Sequence, residues 1–257
     1  MITGASAGLG EEFAKQLAGR VDKLVLVARR EQRLEQLAAK IRKRYPQVAV
    51  LVIAANLADP GERVAVCKNL KSSGFVPDLL INNAGLGDYG LFATADWENQ
   101  LAMLKVNIEA LTHLTHMIVP EMRKRGAGAI MNVSSLASTL PLPDMAVYAA
   151  TKAYVSSFTE ALRIELKEDG IQVMALCPGP VHTEFGKVAR REGSSEGMTG
   201  HALFVVSKKQ VVREGLRGLD QSRARVFPGF KIAAAGLLIG AIPMVLLRIV
   251  LSTRPRR

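Results

Sequence analysis

Five near-continuous apolar runs, each followed by a longer stretch, constrain this chain more than any other feature. They are KLVLVA (23–28), VAVLVIAA (48–55), DLLINNAG (78–85), GAIMNVSS (128–135) and IQVMALCPG (171–179). RARVF (223–227) predicts a last edge strand. In most of the runs apolar residues follow one another without alternating, as in strands covered on both faces. The intervening segments read as helices. Segment 11–20 sets Phe13, Ala14 and Leu17 on one face, and 31–44 repeats Leu34, Leu37, Ala38 and Ile41. Segment 97–125 predicts a long helix kinked or broken near its end by Pro120, and 147–168 one that stops at Gly170. VSKKQVVREGLRGL, before the last strand, predicts another. Strand–helix alternation of this kind predicts an α/β chain: a doubly wound parallel sheet with helices on both faces and right-handed crossovers.

A length of 257 residues without repeat or linker favours one domain. The formal charge of +11 raises nucleic acid as a partner. Zinc-finger spacing and RNP-like motifs are missing, and aromatic residues make up only 5%, so base-stacking platforms are scarce. The charge reads better as a basic surface that attracts an anionic cofactor or anionic lipid headgroups. Cys67 and Cys177 lie far apart in apolar surroundings and form neither a metal spacing nor a disulfide framework. Residues 1–10 are small and glycine-rich, unlike a secretory signal, so the expectation is a cytoplasmic protein.

The stretch TGASAGLG carries Gly4, Gly8 and Gly10, with Ser6, Ala7 and Leu9 between them. It is neither GxGxxG nor a P-loop, but its physics is similar. Glycine lets the backbone turn sharply and approach a pyrophosphate, and the following helix presents free N–H groups and the positive end of its dipole. The next strand ends at Ala28-Arg29-Arg30, where an acidic residue often binds ribose hydroxyls. With no acid there, Arg29 or Arg30 suits a 2′-phosphate, which ranks NADP above NAD.

VYAATK (147–152) sets Tyr148 and Lys152 four apart, on one face of a helix. A phenol with a pKa of ~10 is a poor acid–base catalyst at neutral pH, and a nearby ammonium lowers that value. The pair is thus a rational proton donor for a carbonyl oxygen. NVSS (132–135) closes a predicted strand, with Ser135 thirteen residues before Tyr148. Catalytic groups commonly stand at the carboxyl ends of parallel strands.

Taken together, TGASAGLG, NNAG (82–85), Asn107 in KVNIEA, NVSS, YAATK and PGPVHT (178–183) resemble the short-chain dehydrogenase/reductase family, in its order and spacing across residues 1–183. The resemblance implies a single Rossmann-type sheet, an NADP(H) cofactor, and hydride transfer between nicotinamide and a carbonyl or secondary alcohol. It implies that Tyr148 is the acid/base, that Lys152 lowers its pKa and holds the nicotinamide ribose, that Ser135 bonds the substrate oxygen, and that Asn107 holds a relay water. Asn83, Ala84 and Gly85 would line the adenosine and ribose side, and Pro178, Gly179, Val181 and Thr183 would border the nicotinamide. Arg29 would take the 2′-phosphate. Asn56, next to Leu57, stands where the family usually has an aspartate contacting adenine; its side-chain oxygen still accepts a hydrogen bond. The first strand, expected at the sheet centre, has only Met1 and Ile2 before the Thr-Gly pair, and so reads as incomplete. No metal is implied. A homodimer or tetramer through the helices 97–125 and 147–168 is.

The reading divides the chain into a catalytic part, 1–228, and a tail, 229–257. Within the first, 184–220 is a substrate-loop region whose Gly- and Ser-rich part, 184–204, is expected to cover the substrate. Leu136, Leu140 and Leu142 suit an apolar carbonyl compound. In the tail, IAAAGLLIGAIPMVLL (232–247) has no charge but is flanked by Lys231 and Arg248. It is shorter than the ~20 residues of a spanning helix. It reads as a helix packed on the pocket, as a subunit interface, or as a membrane-surface anchor. The competing function class is a non-catalytic nucleotide sensor or scaffold that keeps the fold.

Overall fold

The computed structural model describes residues 1–191 and 204–252. Seven strands form one parallel sheet in the order β3-β2-β1-β4-β5-β6-β7. They are β1 (Ile2–Thr3), β2 (Lys23–Ala28), β3 (Ala49–Ala54), β4 (Leu79–Asn82), β5 (Gly128–Val133), β6 (Ile171–Leu176) and β7 (Arg225–Val226). The order reverses between β1 and β4, which opens a crevice at their carboxyl ends, the place where such sheets bind ligands.

Strand β1 is short yet central: Ile2 pairs with Leu26 on one side and Ile81 on the other, and the Met1 nitrogen donates to Leu79 O at 2.7 Å. Strand β3 departs from the expectation of full burial. It lies at the sheet edge, and Val50, Leu51 and Val52 are only partly covered.

Helices α1 (Gly8–Leu17), α2 (Glu31–Arg44) and α8 (Lys208–Asp220) cover one face with Phe13, Leu34, Ile41 and Val212. On the other face α3 (Pro60–Ser72), α5 (Leu111–Arg125) and α6 (Ala146–Glu165) pack, with Val66, Leu114 and Ile118 in the core. A single fully buried side chain such as Phe13 contributes ~1.5–3 kcal/mol. Cys67 and Cys177 are buried and free.

The long segment after residue 97 differs from its sequence reading. It runs as α4 (Trp97–Leu104), a π-helical turn (Lys105–Ala110) and α5, and Pro120 neither breaks nor ends it. The carbonyl that Pro120 leaves without an N–H partner belongs to exposed His116, where water can serve it. The helix ends at Gly126, which takes φ 63°. Short α7 (Glu184–Val188) begins the substrate-loop region; residues 192–203 of the expected lid lie outside the described residues. The tail folds as α9 (Phe230–Ala241) and α10 (Met244–Ser252), separated at Ile242-Pro243.

Candidate active site

The glycine turn connects β1 to α1. Gly4 has φ +67°, and a Cβ there would stand 2.9 Å from Ala84 Cα. A Cβ on Gly10 would come within 2.3 Å of Gly4 O, so this residue lets the helix close on the turn. Asn83 locks the arrangement: its Nδ2 donates to Thr3 O at 2.9 Å, while Thr3 Oγ1 accepts from Asn83 N and Ala84 N at 3.0 Å each. The Asn83 side chain therefore positions the loop. Ala7 is the N-cap residue of α1, and no side chain caps the helix. The uncapped amides suit a phosphate. Gly8 faces Thr183: a Cβ on it would lie 3.5 Å from the threonine Cβ.

A basic group stands beside this turn. Arg30 Nε donates to Ser6 Oγ at 3.3 Å, and Arg30 and Arg33 both reach Glu184 across the cleft, at 2.9 Å and 2.7 Å. Arg29 is exposed and makes no side-chain hydrogen bond or ion pair among the described residues. Sequence reasoning named Arg29 and Arg30 but missed Arg33 and Glu184. The arginines hold the Glu184 carboxyl below its usual pKa range. At the β3 end, Asn56 Oδ1 accepts from Ala58 N at 3.2 Å, and Leu57 is buried, so only its backbone is available to a ligand.

Ser135, just past β5, caps the turn Leu136–Thr139 by accepting from Ala137 N at 3.1 Å. Tyr148 and Lys152 lie on α6, one turn apart, and both are buried. Tyr148 forms one buried cluster with Met103 and Met145, against which Leu86, Tyr89 and Leu142 pack, and the Phe185 ring centroid stands 5.6 Å from that of Tyr148. Leu136 belongs instead to the core on the other face.

The electrostatics correct one expectation. Burial pushes the Tyr148 phenol up to about 12, and the Ser135 hydroxyl pulls it back only in part. Lys152 does not lower it here. Its Nζ donates to Val133 O at 2.9 Å and lies over the Tyr148 ring, 5.9 Å from its centroid, with no hydrogen bond to the hydroxyl among the described residues. Burial brings Lys152 down to about 8. A Cβ on Gly85 would lie 3.5 Å from Nζ, so the ammonium borders the gap that this glycine leaves open.

Asn107 sits in the π-helical turn, a feature frequent at functional sites. Its Oδ1 accepts from Leu86 N at 2.8 Å, and its Nδ2 donates to Leu86 O at 2.9 Å and Thr151 Oγ1 at 3.0 Å. The side chain thus ties the loop after β4 to α6. Further out, Arg191 grips Asp88 with Nε–Oδ1 at 3.0 Å and Nη2–Oδ2 at 2.6 Å, a link between the substrate-loop region and the β4 loop that no motif signalled.

On the nicotinamide side expected from sequence, Pro178 O accepts from Leu136 N at 2.8 Å, Val181 bridges Val206, and Thr183 caps α7 through Phe185 N at 3.3 Å. Gly179 admits the tail: a Cβ there would meet Ile232 Cδ1 at 2.4 Å. Among the described residues no cluster of His, Cys, Asp and Glu could hold a metal.

A parallel sheet with a glycine turn at its switch point and a Ser-Tyr-Lys group at the strand ends defines a Rossmann-type nucleotide-binding fold. The family model described as short chain dehydrogenase matches residues 1–193, and the chain belongs to that family. Among curated relatives, a very-long-chain 3-oxoacyl-CoA reductase of Anas platyrhynchos is 31% identical over 197 residues, 74% of this chain and 62% of that protein. The chain thus spans about three-fifths of that relative's length. Sulfoacetaldehyde reductase 2 of Chromohalobacter salexigens is 36% identical over 193 residues, 72% of this chain and 73% of that protein. A solved short-chain dehydrogenase from Sphingobium yanoikuyae, in complex with NADPH, superposes with a TM-score of 0.81 at 32% identity, covering 100% of this chain and 95% of that one.

Proposed function

We propose that the chain is an NADP(H)-dependent oxidoreductase acting on a carbonyl compound or the corresponding secondary alcohol. The observation that carries this reading is the buried Tyr148-Lys152 pair, with half-buried Ser135 bonded to the phenol, beside a glycine turn whose helix N-terminus is uncapped. The residues fit a dinucleotide: the α1 amides for its phosphates, Gly85 and Lys152 for the nicotinamide ribose, and Arg29, Arg30 and Arg33 for a 2′-phosphate. NADPH in the Sphingobium yanoikuyae structure supports that choice. The bound cofactor supplies or accepts the hydride.

Ser135 donates to the substrate oxygen and Tyr148 gives it a proton. Held near 12, the phenol keeps its proton throughout the neutral range. Lys152, largely protonated below about 8, borders the gap at Gly85 and is placed to hold the nicotinamide ribose. Asn107 acts at one remove, by fixing Leu86 and with it the neighbouring Gly85. The apolar side chains around Tyr148 favour an apolar carbonyl group. The same reading includes a homo-oligomer through α5 and α6, where Tyr154 and Phe158 stack and Ile164 stands exposed.

The test is NADPH oxidation, followed by absorbance, with a panel of aldehydes and ketones. Turnover that Tyr148→Phe abolishes supports the enzyme. NADPH binding without turnover of any member supports the sensor or scaffold reading instead.

A further inference from the structure

The tail departs from the usual solution of burying apolar helices. In α9 only Ile232 and Gly236 are buried, one turn apart, against Gly179 and Phe227. Its large apolar side chains at both ends turn outward: Phe230 is 88% exposed, Leu237 71% and Leu238 68%. In α10, Val245 and Leu246 are 63% and 52% exposed, and no described side chain of that helix is buried. A contiguous apolar patch rimmed by charge marks an interaction surface.

Its charge selects the partner. From Phe230 to the end the sequence has five arginines and lysines and no aspartate or glutamate. Lys231 and Arg248 are exposed on the helices themselves. A second copy docked face to face would set these cations against their equivalents, with no carboxylate on either segment to answer them. A surface of anionic headgroups over hydrocarbon meets both the charge and the apolar side chains. Neither helix, as described, has the length to cross a bilayer. At 12 and 9 residues they are roughly 18 Å and 14 Å long, against the ~30 Å of a hydrocarbon core, and no described helix is long and apolar enough to span.

We propose that α9 and α10 form a monotopic docking surface for an anionic lipid bilayer, lying in its interface with Ile232 and Gly236 as the anchor to the rest of the chain. The assignment is independent of the proposed activity.

The test is co-sedimentation of the full chain with vesicles of phosphatidylcholine alone or mixed with phosphatidylglycerol. The chain is expected to pellet with the mixed vesicles and to be released by salt. Removing one cation, by Lys231→Gln or Arg248→Gln, is expected to weaken partition about fivefold, the equivalent of ~1 kcal/mol. Leu237→Glu combined with Leu238→Glu is expected to weaken it more than ~10-fold, with an unchanged circular dichroism spectrum and melting temperature, because both side chains point away from the core. A folded wild-type chain that stays in the supernatant with mixed vesicles at low salt overturns the proposal. So does salt-independent binding to both vesicle types. So does a concentration-dependent dimer that the double variant dissociates while vesicle binding is absent, since a second copy then covers the face.

Discussion

Glu184 spans the cleft to hold Arg33, with both carboxylate oxygens within 2.9 Å of one guanidinium nitrogen, and shares the second oxygen with Arg30. The start of the substrate-loop region is thereby fastened to the start of α2, over the glycine turn. A carboxylate in that position is a built-in anion on the same guanidiniums that the proposed 2′-phosphate needs.

Competition for those arginines sets the first expectation. Glu184→Gln should tighten NADPH binding about threefold to tenfold and leave NADH nearly unchanged, because only the former carries the competing phosphate. Fluorescence titration with both dinucleotides reads the difference. Equal changes for the two cofactors would place the phosphate elsewhere.

The two buried groups on α6 predict a pH profile. Tyr148, raised to about 12, keeps its proton well into the alkaline range, whereas Lys152, depressed to about 8, loses its charge as pH rises through that value. Reduction should decline above about pH 8, because the ammonium placed to hold the nicotinamide ribose is lost while the phenol stays protonated. Lys152→Arg should move the decline to higher pH, since a guanidinium remains charged. Measuring kcat against pH for both proteins decides it.

Gly10 predicts a packing effect. Gly10→Ala puts a methyl 2.3 Å from Gly4 O, a clash with backbone that no rotamer relieves. The expected loss is ~1–3 kcal/mol of stability together with weakened NADPH binding. Thermal melts with and without NADPH report both parts.

Arg191 predicts a pH-sensitive clamp. Its hydrogen bonds hold Asp88 below the ordinary carboxylate range. A depressed folded value means that the stabilisation is present above the unfolded pKa of ~3.9 and disappears as pH falls through the lower folded value. Arg191→Met should cost about 1–3 kcal/mol near neutral pH. The difference between variant and wild type should shrink in acid, which urea titrations at two pH values reveal. The variant should also raise KM for the carbonyl substrate more than it lowers kcat, because the clamp shapes the pocket and touches no reacting atom.

The sheet was readable because its strands are apolar on both faces, and the Ser-Tyr-Lys group because its spacing is local to one strand end and one helix. Helix α3 was not readable. It opens on Pro60-Gly61, a turn-like pair, and its apolar pattern is interrupted by Arg63, which is buried because it bonds Leu57 O, His113 and Glu109. The Arg30–Glu184 contact joins residues 154 apart, and nothing local to either announces the other. The direction of Lys152 was also hidden: the four-residue spacing gives the shared face, but tertiary packing decides that Nζ takes the Val133 carbonyl. Pro120 did not break α5, which runs on to Arg125; the proline removes one N–H, and the carbonyl it would have served belongs to exposed His116.

Ile232 resting on Gly179 makes the last helices part of the machinery they adjoin. Force applied at the far end of the chain, whether by a fused tag, an immobilising linker or a support surface, reaches the loop that follows β6 through Ile232. Catalyst preparations should therefore be tethered through some other part of the molecule.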